Sequence, residues 1–147
     1  YRQPYVPFYL ATREFFRLVR QHLAPQGVVV LNVATVPGDD RLADGVGGTL
    51  AVELPQVLSW PALRFNTFLV GLEQALPDDE IARRLSRGPR SLALLRGLLR
   101  RDARPVRAAS RPWTDDRAPV EWATDRMILG YAAGGDRDTF DYLPTRP

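Results

Sequence analysis

Three aromatic side chains have the chemistry of a small-molecule slot: Tyr1 and Tyr5, in an opening segment punctuated by Pro4 and Pro7, and Trp60 beside Pro61. Aromatic faces attract cations and cover carbon chains, so they would recognise a carbon chain or a sulfonium-bearing group. Asp39 and Asp40 stand as adjacent carboxylates, which reads either as a charged pair or, more simply, as a helix cap. Asp115, Asp116 and Glu121 offer oxygen ligands suited to magnesium, or equally a capped turn before a helix. The single histidine, His22, falls late in a helical stretch, where an imidazolium favours the helix dipole, so it reads as a surface or capping residue.

What the sequence lacks narrows the chemistry further. There are no cysteines, which excludes disulfides, thiolate nucleophiles and cysteine zinc sites within this chain. All 20 basic residues are arginine, so a phosphate-loop lysine or a Schiff-base lysine is also excluded. Between Arg83 and Arg111 ten arginines face one acid, Asp102, while the rest of the chain is mildly acidic. That stretch has no aromatics for base stacking. Nucleic acid is therefore the disfavoured reading, and its leucines point to an amphipathic helix that docks onto something. Gly45, Gly47 and Gly48 form no dinucleotide fingerprint, because they fall inside a helical pattern, and close packing accounts for them better.

The elements that must hold these groups follow from hydrophobic spacing. Thr12 to Ala24 reads as an amphipathic helix with Thr12 as its N-cap, stopped by Pro25 and Gly27. Gly27 to Ala34 reads as a strand buried on both faces, as in parallel sheets. A helix from Arg41 to about Glu53 follows, weakened by its glycines at roughly 1 kcal/mol each. Short strands at Gln56 to Trp60 and Phe65 to Leu72 flank a turn at Pro61, too close together for a crossover and so antiparallel neighbours. Helices from Pro77 to Leu85 and from Ser91 to Leu99 come next, then a linker from Arg104 to Pro112. A short helix ends near Leu129, and a loosely held tail follows from Gly130. No apolar run approaches the roughly 20 residues of a membrane span.

Helix, strand, helix, strand, strand at these spacings resembles the closing half of the class I methyltransferase fold, in which the final strand inserts antiparallel to the others. The segment Tyr1-Arg2-Gln3-Pro4-Tyr5-Val6-Pro7, followed by Thr12-Arg13-Glu14-Phe15-Phe16, is similar to the spermidine synthase-like (polyamine aminopropyltransferase) family. Thr114-Asp115-Asp116-Arg117-Ala118-Pro119-Val120-Glu121 resembles a segment near the carboxyl terminus of many members. The resemblance implies an α/β fold, the C-terminal half of a Rossmann-like sheet with a parallel strand and an antiparallel closing pair. It divides the chain into 1–75, the closing half of that sheet; 76–112, a helical Arg-rich insertion; 113–129, a family-like turn and helix; and 130–147, a tail.

The resemblance also implies aminopropyl transfer, or methyl transfer, from decarboxylated S-adenosylmethionine or S-adenosylmethionine. The catalytic acid, which takes the proton of the attacking amine, is expected just upstream of Tyr1, so no catalytic or cofactor-binding residue is expected within this chain. What remains is the substrate gate of Tyr1, Gln3 and Tyr5, with Trp60 beside it. Members usually carry an Asp before the proline of that gate, and Gln3 departs from this, since an amide gives a weaker bond to an ammonium than a carboxylate does. The expected partners are an N-terminal half of the same domain, a polyamine-like acceptor and a homo-oligomer. The expected location is the cytoplasm. A second reading is a non-catalytic interaction module, derived from this fold and dimerising through an exposed edge of the Val28 to Val33 strand or through its basic helices.

Overall fold

The computed structural model describes residues 7–134. Within them five α-helices surround a four-stranded, wholly antiparallel sheet, a mixed α/β arrangement. After a 3-10 turn at Phe8–Leu10, helix α1 runs Arg13–His22, and the hydroxyl of its N-cap Thr12 accepts the Phe15 N–H at 3.3 Å. Strand β1 (Val28–Ala34) leads to α2 (Arg41–Glu53), then β2 (Gln56–Leu63) and β3 (Asn66–Leu72) form a hairpin. Helices α3 (Asp78–Ser86) and α4 (Ala93–Asp102), a two-residue strand β4 (Arg104–Pro105) and α5 (Val120–Ala133) complete the chain.

The strand order is β1-β3-β2-β4. β3 lies between β1 and β2 and is antiparallel to both, so β1 and β2 run in the same direction without touching. The closing strand thus inserts as expected, and β2 and β3 are the antiparallel neighbours their short connection requires. The hydrogen-bonded parallel strand of the expectation is absent among the described strands. The core forms where α2 lays Leu42, Ala43, Val46 and Leu50 over Val57 and Leu69 of the sheet, with Phe16 of α1 and Val120, Ala123 and Met127 of α5 closing around them.

Four local expectations are corrected. β1 is not buried on both faces: Val28 is 52% and Val30 57% exposed, because β1 is an edge strand and α4 covers β2 rather than β1. β2 does not turn at Pro61 but runs on to Leu63 with an irregular register there. β4 pairs only with Leu58 and Ser59, so Pro61 sits beyond that ladder, where a strand tolerates a missing N–H. The supposed linker from Arg104 to Pro112 is a pinned strap. It adds β4 to the sheet, and then Val106 N–H bonds Val57 O at 2.8 Å and Ala109 N–H bonds Gly48 O at 2.9 Å. Finally, α5 continues past Leu129 to Ala133, so the first residues of the expected tail are helical.

Candidate functional site

β1 and β2 end on the same side of the sheet, and the loop after β1 must turn there before α2 begins. Its residues Thr35 to Asp40 are held by the Val36–Asp39 bridge and by Gly38 at φ 84°, a left-handed value that a glycine adopts without strain. Over these strand ends lies an open pocket of about 410 Å³. Trp60 and Pro61 of β2, Thr67 of β3, Thr35 and Asp40 of the loop, Arg64 of the hairpin turn, and Leu98 with the paired Arg101 and Asp102 of α4 are among its lining residues. This is the place where α/β sheets hold their ligands.

Each lining group has a definable state. Trp60 is buried, its ring centroid is 5.8 Å from that of Phe68, and its indole N–H is a buried donor with no partner among the described residues. Thr35 and Thr67 bond each other through their hydroxyls at 3.2 Å, which ties the end of β1 to β3. Asp39 is consumed locally: its carboxylate accepts the Arg41 N–H at 3.2 Å and the Arg41 guanidinium at 2.8 Å. The Arg41 hydrogen bond holds its carboxyl below the usual aspartate range. Asp40 is the N-cap residue of α2 by position, yet its side chain makes no cap bond. Its carboxylate therefore stays available to the pocket it lines. One turn on, burial pushes the Asp44 carboxyl up, and the like charge of Asp40 adds to this.

Of the site residues expected from sequence, Trp60 is thus part of the strand-end pocket. Tyr1, Gln3 and Tyr5 lie outside the described residues. Reading Asp39 and Asp40 as a charged pair or, more simply, a cap missed their division of labour, and no spacing rule separates two adjacent aspartates. The hydroxyl pair of Thr35 and Thr67 was also missed, because it depends on the β1–β3 register. His22 is exposed and its Nδ1 bonds the Leu18 carbonyl at 2.8 Å, the surface role expected. Asp115 and Asp116 are exposed in a tight turn closed by the Thr114–Arg117 bridge. Among the described residues no group of three or more His, Cys, Asp or Glu is placed to hold a metal ion.

The glycines of α2 serve packing. A Cβ on Gly45 would lie 2.1 Å from the Trp113 ring, one on Gly48 3.1 Å from Ala109, and one on Gly47 3.1 Å from Leu69. The helix is thereby pressed against the strap as well as the sheet. No described strand is followed by a glycine-rich turn into a helix. A second, apolar pocket of about 220 Å³ lies by Val28, Leu58, Val70, Ile81, Leu85 and Leu99, on the other end of the hairpin. Among the described residues no helix is long and apolar enough to cross a membrane.

No family model matches this chain, and no curated protein matches it. Among solved structures, the crystal structure of a probable spermidine synthase from Corynebacterium glutamicum ATCC 13032 is similar to it, at 20% sequence identity and a TM-score of 0.46. The match covers 100% of this chain and 47% of that one, so this chain spans about half the length of that protein.

Proposed function

We propose that this chain is the carboxyl-terminal part of a spermidine synthase-like transferase, inactive alone, which supplies the acceptor gate and the closing strands. The transfer would be of an aminopropyl group, or a methyl group, from an S-adenosylmethionine-type donor to a polyamine-like amine. The observation that carries the reading is the strand-end pocket in which Trp60 and the uncapped Asp40 carboxylate meet. Gate and strand motifs that resemble the family, together with a closing strand inserted antiparallel between two others, support it.

In this reading the pocket holds a cationic acceptor. Asp40 gives a charge-assisted hydrogen bond to an ammonium that Gln3 cannot give. Trp60 offers an aromatic face to the carbon chain and to the cation. An ammonium is not a nucleophile, so the reacting nitrogen must first lose a proton to a carboxylate within reach. That base and the donor site would come from sequence preceding Tyr1. The free amine then forms its bond to the transferred carbon as the carbon–sulfur bond breaks, and the electron pair leaves on sulfur.

The test is acceptor kinetics on this chain joined to its natural upstream residues. Asp40→Asn should raise KM for a diamine roughly tenfold with a small change in kcat. An unchanged KM would remove Asp40 from the site.

A second reading is a non-catalytic module that self-associates through β1. The edge of β1, unpaired among the described strands and seven residues long without charge or proline, favours it. Sedimentation of the chain alone distinguishes the two: a monodisperse dimer favours the module, and polydisperse aggregation favours a transferase part.

A further inference from the structure

The strand-end pocket takes only Leu98, Arg101 and Asp102 from the Arg-rich stretch. α4 carries an apolar stripe of Leu94, Leu95, Leu98 and Leu99. Its second half is used, Leu98 lining the strand-end pocket and Leu99 the apolar one. Its first half overhangs, with Leu94 77% and Leu95 51% exposed. The connection that delivers α4 places exposed Arg87 and Arg90 immediately before these leucines.

Some arginines of the stretch are neutralised: Arg83 and Arg84 pair with Glu80, and Arg101 with Asp102. Arg87, Arg90, Arg100, Arg104, Arg107 and Arg111 are exposed and make no ion pair among the described residues. A cationic surface that also displays large leucines, with no aromatic, Asn or Gln from Ile81 to Arg111, fits one kind of partner best. Nucleic-acid sites stack bases on aromatics and read edges with amides. A second copy would set like charges against each other. An anionic bilayer takes both features at once: arginines meet the headgroups and leucines enter the acyl boundary.

We propose that the leading end of α4, with Arg87, Arg90, Leu94 and Leu95, is a peripheral docking surface for an anionic lipid membrane. The docking is reversible and spans nothing. Each exposed arginine strengthens binding about fivefold, and the effect falls as salt screens the surface.

Flotation of the full chain with vesicles tests it. Vesicles of equimolar phosphatidylcholine and phosphatidylserine should carry the protein up the gradient, vesicles of phosphatidylcholine alone should not, and high salt should release it. Leu94→Ser with Leu95→Ser should weaken anionic-vesicle binding about tenfold while the melting temperature holds, since both side chains are exposed. Arg87→Ala with Arg90→Ala should do so by roughly 25-fold. Equal flotation with both vesicle types, or none with either, would overturn the proposal. So would a leucine double variant that binds like the parent, or tighter binding to an arbitrary DNA duplex than to the anionic vesicles.

Discussion

Trp113 lies flat against Gly45: a Cβ built on that glycine would stand 2.1 Å from Cζ2 and 2.5 Å from Cη2 of the indole. The tryptophan backbone is fixed on both sides, its amide N–H donating to Thr49 Oγ1 at 3.0 Å and its carbonyl accepting the Arg13 N–H at 2.8 Å. One contact thereby joins α1, α2 and the strap that returns from the sheet.

Gly45→Ala therefore sets helix propensity against packing. Alanine gains about 1 kcal/mol in a helix interior, but its Cβ would stand 2.1 Å from the Trp113 ring, so the ring must swing away on a backbone that is itself pinned. Overpacking of this kind costs about 1–3 kcal/mol, and here the upper end applies, so the net effect in denaturant unfolding should be destabilising. Gly97 in α4 has nothing within 4 Å of its Cβ position. Gly97→Ala should raise stability by about 0.5–1 kcal/mol. Equal effects at the two positions would contradict the close approach of Trp113.

Glu53 ties α1 to the end of α2 from a buried position. It accepts from Arg13 Nε at 2.6 Å and lies 3.5 Å from Arg17 Nη2. Either arginine alone partly satisfies the carboxylate, so each single alanine variant should cost under about 1 kcal/mol, given the exposed arginine side. Replacing both leaves a buried charge unpaired and should cost about 2–3 kcal/mol, more than the singles combined. A double-mutant cycle in urea reads this coupling directly.

The pH dependence has a definite sign at Asp44. Burial, with Asp40 beside it, raises its pKa in the folded state above the unfolded value. The folded chain then binds that proton more tightly, so the ionised carboxylate costs stability at neutral pH and the cost vanishes as pH falls through the folded value. Asp44→Asn should raise the melting temperature at pH 7, and the gain should disappear below the ordinary aspartate range. Asp39 behaves oppositely: its pKa is lowered by Arg41, so its contribution is present at neutral pH and lost as pH falls through the folded value. Asp39→Asn should lower neutral stability. Thermal melts across pH 3 to 7 measure both.

Trp60 serves stability and binding through the same ring. Trp60→Ala removes a buried ring packed on Phe68 and should cost about 3–5 kcal/mol. Trp60→Phe keeps most of the ring and removes a buried N–H that has no partner, so its stability should stay within about 1 kcal/mol of the parent. A protonated amine is drawn to an aromatic face and cannot accept an N–H, so Trp60→Phe should weaken acceptor binding by under about 1 kcal/mol, while Trp60→Ala should lose most of it.

Most of the elements were legible because each is set by local signals. The bounds of α2 follow from Asp40 and Pro55, and those of α1 from Thr12 and Pro25. The parts that escaped depend on partners distant in sequence. That Val28 and Val30 face solvent follows from the place of β1 in the sheet, while their sequence reads as a buried strand. The strap from Arg104 has no apolar period, and its order comes from Val57 and Gly48. In the site, Trp60 stood out by type. Asp40 was visible only as half of an acidic pair better read as a cap, and the Thr35–Thr67 pair was not visible, because it depends on a strand register.

The proposed transferase role is tested most directly by equilibrium dialysis of radiolabelled decarboxylated S-adenosylmethionine, with and without a diamine. The chain alone should bind no donor, and the same chain joined to its natural upstream residues should bind it saturably. Tight, saturable binding by residues 1–147 alone, or none after the upstream residues are restored, would contradict the account.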